Sequence, residues 1–148
     1  MKDIMYLAIP YSHPDPRVRE LRFEIANFVS AKLMQMGEVV FSPISHSHPM
    51  VGYGLPSDWE YWKSQDESFL NACSDFGIVD IKGWDKSKGV KDEKEIMNLR
   101  GIETEMINPY YKWGSEFELF VDKKWKELCI KHASSIELTY ISTWREVV

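Results

Sequence analysis

A run of apolar residues from Ile4 to Ile9 is stopped by Pro10. A continuous apolar run of this length is typical of a strand that is buried on both faces, as in the interior of a parallel sheet. The stretch 17–36 then carries apolar residues at helical spacing and is followed by Gly37, which predicts an amphipathic helix that ends at the glycine. A buried strand followed by such a helix indicates an α/β fold with right-handed crossovers.

The alternation of strands and helices continues to the end of the sequence and shows no repeat or linker. We therefore expect one domain over residues 1–148, built on a central parallel sheet of four to five strands, with 110–148 as a C-terminal helix and strand extension. The remaining elements are expected as strands over 39–41, 76–81 and 102–107, helices over 58–74, 90–99 and 117–131, and a final strand through Ile136, Leu138 and Tyr140.

The composition is that of a soluble globular domain, with 148 residues, 44% hydrophobic and 28% charged. The net charge of −5 argues against a nucleic acid polymer as partner, because sequence-independent binding of a phosphate backbone needs excess positive charge. Two isolated cysteines, Cys73 and Cys129, favour a reducing compartment. The first apolar run is too short for a signal peptide or a membrane span. We therefore expect a cytoplasmic protein that does not associate with membranes.

A long loop is expected over 42–56, before a helix that begins behind a capping box of Ser57 and Glu60. Loops of this length in a small domain are often functional. The loop contains His46 and His48, but a zinc site needs more ligands than two imidazoles. We expect no metal and no cofactor, and we keep a substrate contact by His46 as a hypothesis.

The loop 82–89 follows a predicted strand, and ligands of open parallel sheets bind at the carboxyl ends of strands. The Ser87 hydroxyl and the backbone N–H groups at the start of the next helix are suited to a phosphate or a sugar hydroxyl, and Gly89 would let a ligand approach the backbone closely. The alternative is an ordinary strand–helix turn. Three arginines at the start of the first helix either reach the same anion or form a solvated helix face: Arg17, Arg19 and Arg22.

Three polar side chains fall on elements that are expected to be buried. Asp66 lies on the apolar stripe of its helix, where a carboxylate is costly unless it is paired or functional. Its pKa would be raised there, which suits a general acid, although backbone donors or an arginine would also satisfy it. Glu93 either faces the crevice above the strand ends or only complements the helix N-terminus. Tyr6, within the first strand, either orients a carboxylate or is a packed core residue.

Three motifs occur in a fixed order along the chain. These are Tyr6-Leu7-Ala8-x-Pro10, then Gln65-Asp66 within a helix, then Gly83-Trp84-x-x-Ser87-x-Gly89-Val90-x-x-Glu93. This pattern resembles the nucleoside 2-deoxyribosyltransferase superfamily over about residues 5–108, and most of all its small members with a GWxxSxG loop. The superfamily also holds 2′-deoxynucleoside 5′-phosphate N-hydrolases and the CMP and hydroxymethyl-CMP glycosidases.

The resemblance implies a flavodoxin-like three-layer sandwich and a role for each matching residue. Glu93 matches the nucleophilic glutamate, Asp66 the aspartate near the leaving base, and Tyr6 the tyrosine that positions the glutamate. Ser87 and Gly89 match the loop that receives a 5′-phosphate in nucleotide-cleaving members. The resemblance also implies a homodimer or higher homo-oligomer whose partner chain closes the site.

We therefore expect a small-molecule nucleoside or nucleotide as substrate. The expected reaction is cleavage of the N-glycosidic bond of a (deoxy)nucleoside 5′-monophosphate through a covalent glycosyl-glutamate, with release of the free base. Pro10 in the first motif, the Trp84 ring, which is suited to stacking on a base, and His46 complete the expected substrate contacts. The alternatives are a deoxyribosyltransferase that exchanges bases, an NAD-type glycosidase, and a catalytically inactive nucleotide-binding module.

Overall fold

The computed structural model describes residues 2–135 and 140–148. Four strands form one all-parallel sheet in the order β2-β1-β3-β4, with helices on both faces. The structure thereby confirms the expected α/β fold and the flavodoxin-like three-layer arrangement. The strands are β1 (Ile4–Ala8), β2 (Val39–Phe41), β3 (Asp75–Val79) and β4 (Thr104–Ile107).

Five α-helices connect and follow these strands: α1 (Pro16–Gln35), α2 (Pro43–Val51), α3 (Trp59–Ala72), α4 (Lys88–Leu99) and α5 (Pro109–Lys131). One-turn 3₁₀ helices lie at Trp84–Lys86 and Trp144–Glu146. α5 is kinked at Gly114, whose φ of 49° lies in the left-handed region that glycine tolerates best. Within the part of the chain described here, no helix is both long and apolar enough to cross a bilayer.

Side chains of β1 alternate between two hydrophobic clusters, one on each face of the sheet. Leu7 points to the cluster built by α1, α5 and the C-terminal residues, whereas Tyr6 and Ala8 point to the cluster that contains Leu70 of α3 and Met97 of α4. This alternation follows from the period of two along a strand. It places the Tyr6 ring on the face of the sheet that α3 and α4 cover.

Gly77 of β3 is required by packing across the sheet. A Cβ atom at this position would lie 2.8 Å from Ile107 Cδ1 and 2.9 Å from Met5 Sδ. Both distances are well inside van der Waals contact, so a larger residue would have to displace these side chains of the neighbouring strands.

The expected loop over 42–56 is wrong over Pro43–Val51, which form α2. The Ser42 hydroxyl caps this helix by accepting a hydrogen bond from the Ser45 backbone N–H, and Pro43 occupies the first turn. Both residues favour a helix start, because proline fixes φ and needs no hydrogen-bond acceptor there. The pair Ser42-Pro43 therefore begins a helix here, where a loop was expected.

Two further expectations differ from the structure. The capping box of Ser57 and Glu60 is wrong, since Asp58 caps α3 and accepts a hydrogen bond from the Tyr61 backbone N–H at 3.0 Å. The helix expected over 117–131 is confirmed as the part of α5 that follows the kink at Gly114, and a shorter helical segment from Pro109 precedes that kink. Of the expected final strand, Ile136 and Leu138 lie outside the described residues, and Tyr140 lies in a bend.

Candidate active site

The candidate site lies where β1 and β3 end and where the N-terminal halves of α3 and α4 come together. Ser87 begins α4 by accepting a hydrogen bond from the Val90 backbone N–H at 3.3 Å. Glu93 follows on the inward face of this helix and is only 5% exposed. The local fold thus carries a carboxyl group into the protein interior above the sheet.

Tyr6 is the direct partner of Glu93. Its hydroxyl donates a hydrogen bond to Glu93 Oε2, and its ring is fully buried between Phe41 and Phe76. Burial, and next the charge of Glu93, raises the pKa of Tyr6 well above its usual value. The phenol therefore keeps its proton at neutral pH and acts as a fixed donor to the carboxylate.

Asp66 faces the same space from α3. It is 7% exposed and lies between Trp62 and Leu70, four residues away on each side along the helix. Within the described residues, its carboxyl group has no hydrogen bond and no ion pair. The alternative, in which backbone donors or an arginine satisfy the aspartate, is therefore not seen among these residues. Burial raises the pKa of Asp66 from 3.8 to about 6.

The environment of Glu93 is more extreme. Burial raises the pKa of Glu93 from 4.5 to about 8, the charges of Asp66 and Asp92 add to the rise, and the Tyr6 hydrogen bond opposes it. Between about pH 6 and pH 8 the Asp66 and Glu93 carboxyls therefore share roughly one proton. The order of the two pKa values places this proton mainly on Glu93 and leaves Asp66 mainly ionised.

Asp66 and Glu93 line one cavity of about 70 Å³, here called the Glu93 cavity. Its walls also include Trp59 and Trp62 from α3 and the loop residues Ser87 and Gly89. The walls are largely apolar with a few polar groups, as in many small-molecule sites. The volume is smaller than that of typical ligand pockets, about 300–1,000 Å³, so the cavity in this structure is too small to enclose a whole nucleotide.

A second cavity of about 240 Å³ adjoins the first and shares Ser87, Gly89 and Trp59 with it. We call it the anion pocket, because Arg22 and Lys86 line it together with the start of α4. Pro10 also lies in its wall, although outside the Glu93 cavity. Ser87, Gly89 and Pro10 are thus brought together, as the first and third motifs imply.

Arg22 is buried rather than part of a solvated helix face. The residue is 6% exposed, and its guanidinium donates hydrogen bonds to the carbonyl oxygens of Ser12 (3.1 Å) and Lys82 (3.4 Å). Within residues 2–135 and 140–148 it forms no ion pair with a carboxylate, and its buried Nε has no partner. Burial lowers the pKa of Arg22 to about 10, which leaves it charged at neutral pH. Arg17, in contrast, pairs with Asp15 at 2.7 Å.

Two of the expected substrate contacts lie elsewhere. His46 is exposed and packs against Phe41 and Phe69, outside the walls of the Glu93 cavity. Trp84 is half-buried against the cluster under α4, with Lys94 Nζ 5.6 Å from its ring centroid. Neither side chain faces Glu93 in this structure.

His48, rather than His46, lines the Glu93 cavity. Its Nδ1 is 2.6 Å from the Tyr11 hydroxyl, and its ring stacks on Phe23 with centroids 4.3 Å apart. His48 takes the place expected for His46 because both lie on α2, and residues two apart on a helix point in nearly opposite directions. A sequence signal existed in Ser42-Pro43, which together are typical of a helix start.

A family model described as a domain of unknown function, DUF1937, matches residues 3–108. The chain belongs to this family. No curated protein matches the chain.

The part of the chain that defines the DUF1937 family contains the whole sheet and Tyr6, Asp66 and Glu93. It also contains Arg22 and the loop with Ser87 and Gly89, and it ends at the residue before α5. The candidate site therefore lies entirely within the family domain. Within the described residues, no group of three or more histidine, cysteine, aspartate or glutamate side chains is placed to hold a metal ion.

Proposed function

We propose that the protein hydrolyses the N-glycosidic bond of a (deoxy)nucleoside 5′-monophosphate and releases the free base. One observation carries the proposal. A fully buried tyrosine hydroxyl donates to a buried glutamate, and a second buried carboxyl, which has no hydrogen bond or ion pair within the described residues, shares the cavity. Such groups cost stability, so their concentration at one place indicates a functional site. The resemblance of Tyr6, Asp66 and Glu93 to the nucleoside 2-deoxyribosyltransferase superfamily supports the same chemistry.

In the first step, the ionised Glu93 carboxylate attacks C1′ of the sugar, and the C1′–N bond breaks. The electron pair of that bond goes to the base nitrogen, which takes a proton from the Asp66 carboxyl. The transition state resembles an oxocarbenium ion, and the negative charge of Glu93 stabilises it. Tyr6 holds the Glu93 carboxylate in position and favours its ionised form.

In the second step, water attacks C1′ of the glycosyl-enzyme, and Asp66, now ionised, takes a proton from that water. The C1′–O bond to Glu93 breaks, and the carboxylate is regenerated. A second base in place of water would make the same site a transferase. An arm of the assay with an added acceptor base distinguishes these two outcomes.

The anion pocket supports a nucleotide over a nucleoside. The Arg22 guanidinium is charged and lacks a carboxylate partner within the described residues. A buried cation in this condition is stabilised by an anionic ligand. Ser87 accepts a hydrogen bond from the Val90 N–H, so its own O–H proton remains free to donate to a phosphate oxygen. The N-terminus of α4 adds a favourable dipole.

The test is a panel of nucleosides and 5′-monophosphates, with and without an acceptor base, analysed by chromatography for free base. We expect base release by the wild type and none by Glu93→Gln. Glu95→Gln is the matched control, since it makes the same change on the exposed side of α4. Wild-type turnover in Glu93→Gln would refute the proposal, and so would tight nucleotide binding by the wild type without any base release.

The oligomeric state stays a prediction. The resemblance implies a homodimer or higher homo-oligomer, and sedimentation velocity at micromolar concentration measures it directly. A monomer that is fully active at all concentrations would contradict it.

A further inference from the structure

The anion pocket adjoins a larger groove. Arg22, Gly83 and Lys86 line both this pocket and that groove, which measures about 680 Å³ and lies at the carboxyl ends of β3 and β4. The Glu93 cavity, the anion pocket and this distal groove thus lie in a row and share wall residues. A nucleoside 5′-monophosphate ends at its phosphate and would leave the distal groove empty.

Charge at the junction suits more than one phosphate group. Gly83 has a φ of 93°, and a Cβ there would lie 2.9 Å from Arg22 Nη2. The missing side chain therefore lets the guanidinium sit where the two depressions meet. The Arg22 N–H groups partly serve the carbonyl oxygens of Ser12 and Lys82, but no carboxylate within the described residues neutralises the charge of the guanidinium. Lys86 adds a second cation on the same walls, so the junction offers two positive charges to a pyrophosphate.

The distal groove itself carries groups that recognise a nucleoside. Trp84 and Tyr110 supply aromatic rings, and Asp80 and Asn108 lie directly after β3 and β4. Within the described part of the chain, the Asp80 carboxylate has no hydrogen bond and no ion pair. A carboxylate at the end of a parallel strand is suited to accept hydrogen bonds from ribose hydroxyls, and the aromatic rings are suited to stack on a base.

We propose that the substrate is a dinucleotide joined by a 5′–5′ pyrophosphate bridge. The nucleoside that loses its base occupies the Glu93 cavity, the pyrophosphate lies between Arg22 and Lys86, and the second nucleoside occupies the distal groove with its ribose on Asp80. This assignment rests on the proposed hydrolysis of the N-glycosidic bond and extends its substrate from a 5′-monophosphate to a pyrophosphate-linked dinucleotide. The reaction consumes one water and breaks only the C1′–N bond, so its products are one free base and a dinucleotide that lacks that base, with the pyrophosphate intact.

The test compares matched ligands, each a 5′-monophosphate and its pyrophosphate-linked dinucleotide with adenosine as the second nucleoside. AMP is paired with diadenosine pyrophosphate, and nicotinamide mononucleotide with NAD. We measure kcat/KM for the wild type and Kd by calorimetry with Glu93→Gln, whose fold is checked by circular dichroism, or with the wild type at low temperature if that variant is unstable. We expect at least a tenfold lower Kd and a higher kcat/KM for the dinucleotide of at least one pair.

Asp80→Ala should remove that gain and leave the constants for the monophosphate within twofold. Asp75→Ala is the control, because it makes the same charge change at the opposite end of β3. Equal constants within both pairs, or a gain that Asp80→Ala leaves intact, would overturn the dinucleotide assignment while base release from monophosphates still stands. An Asp80-dependent gain in binding without any base release would instead support the groove and refute the proposed hydrolysis.

Discussion

Removing the Tyr6 hydroxyl tests how the Glu93–Asp66 pair distributes its proton. The attacking form needs Glu93 ionised and Asp66 protonated, yet the higher pKa belongs to Glu93, at about 8 against about 6 for Asp66. With a difference of about two pKa units, the attacking form is roughly one part in a hundred of the singly protonated pair. We expect a bell-shaped pH profile of kcat/KM for the wild type, with limbs near pH 6 and pH 8.

Tyr6→Phe removes a hydrogen bond to the charged form of Glu93 while keeping the buried ring. Such a bond contributes about 1.5–3 kcal/mol, equivalent to a rise of about one to two units in the pKa of Glu93. The attacking form therefore becomes rarer by about ten- to a hundredfold. The maximum of the profile should fall by that factor, its alkaline limb should move upward by one to two pH units, and its acid limb should stay near pH 6.

The assay is base release measured from pH 5 to pH 10, with Tyr61→Phe as the control. That substitution removes a phenolic hydroxyl from an exposed position on α3. A loss of activity without movement of the alkaline limb would show that Tyr6 only holds the carboxylate in place. A downward shift of that limb would refute the reasoning, because the hydrogen bond would then favour protonated Glu93.

Three further substitutions give measurable outcomes. The pKa of Glu93 is raised from 4.5 to about 8 on folding, so the stability it contributes is complete below pH 4.5 and is lost as the pH rises through 8. At about 1.4 kcal/mol per pKa unit, the free energy of unfolding of Glu93→Gln should exceed that of the wild type by a few kcal/mol at pH 9 but hardly at all at pH 4. Urea unfolding at the two pH values measures this difference, and a difference that does not change with pH would contradict the prediction. Gly77→Ala should lower the free energy of unfolding by about 1–3 kcal/mol through overpacking, and an unchanged urea midpoint would contradict that. Arg22→Met should raise KM for a 5′-monophosphate about ten- to a hundredfold, which corresponds to the loss of a charged hydrogen bond, and should hardly change KM for the matching nucleoside. An equal rise in KM for both ligands would show that Arg22 does not bind the phosphate.

The order of strands and helices is predictable because its determinants are local. The apolar run from Ile4 to Ile9 predicts β1 and the spacing over 17–36 predicts α1, both confirmed to within one residue of each end. The burial of Asp66 was also predictable, since its neighbours at helical spacing are apolar. The catalytic roles of Asp66 and Glu93 stay predictions until turnover is measured.

The remaining features depend on contacts between distant parts of the chain. Periodicity assigns Arg22 to a helix but cannot show that the carbonyl oxygens of Ser12 and Lys82, from two other loops, surround its guanidinium. The choice between His46 and His48 likewise depends on whether 42–56 is a loop or a helix. Local signals conflict there, because Pro49 argues against a helix that Ser42 and packing on α1 establish.

The stability cost of the site is itself an argument for its function. Asp66 and Glu93 each lose solvation in the cavity, and the charge of Asp66 further raises the free energy of ionised Glu93. Tyr6 offsets only part of this cost, since one hydrogen bond lowers the pKa of Glu93 less than burial raises it. A glutamine at position 93 would accept the same hydrogen bond without a charge to bury. An amide cannot attack an anomeric carbon or carry the negative charge that stabilises an oxocarbenium ion, so the proposed hydrolysis needs the carboxyl group at position 93 despite its cost.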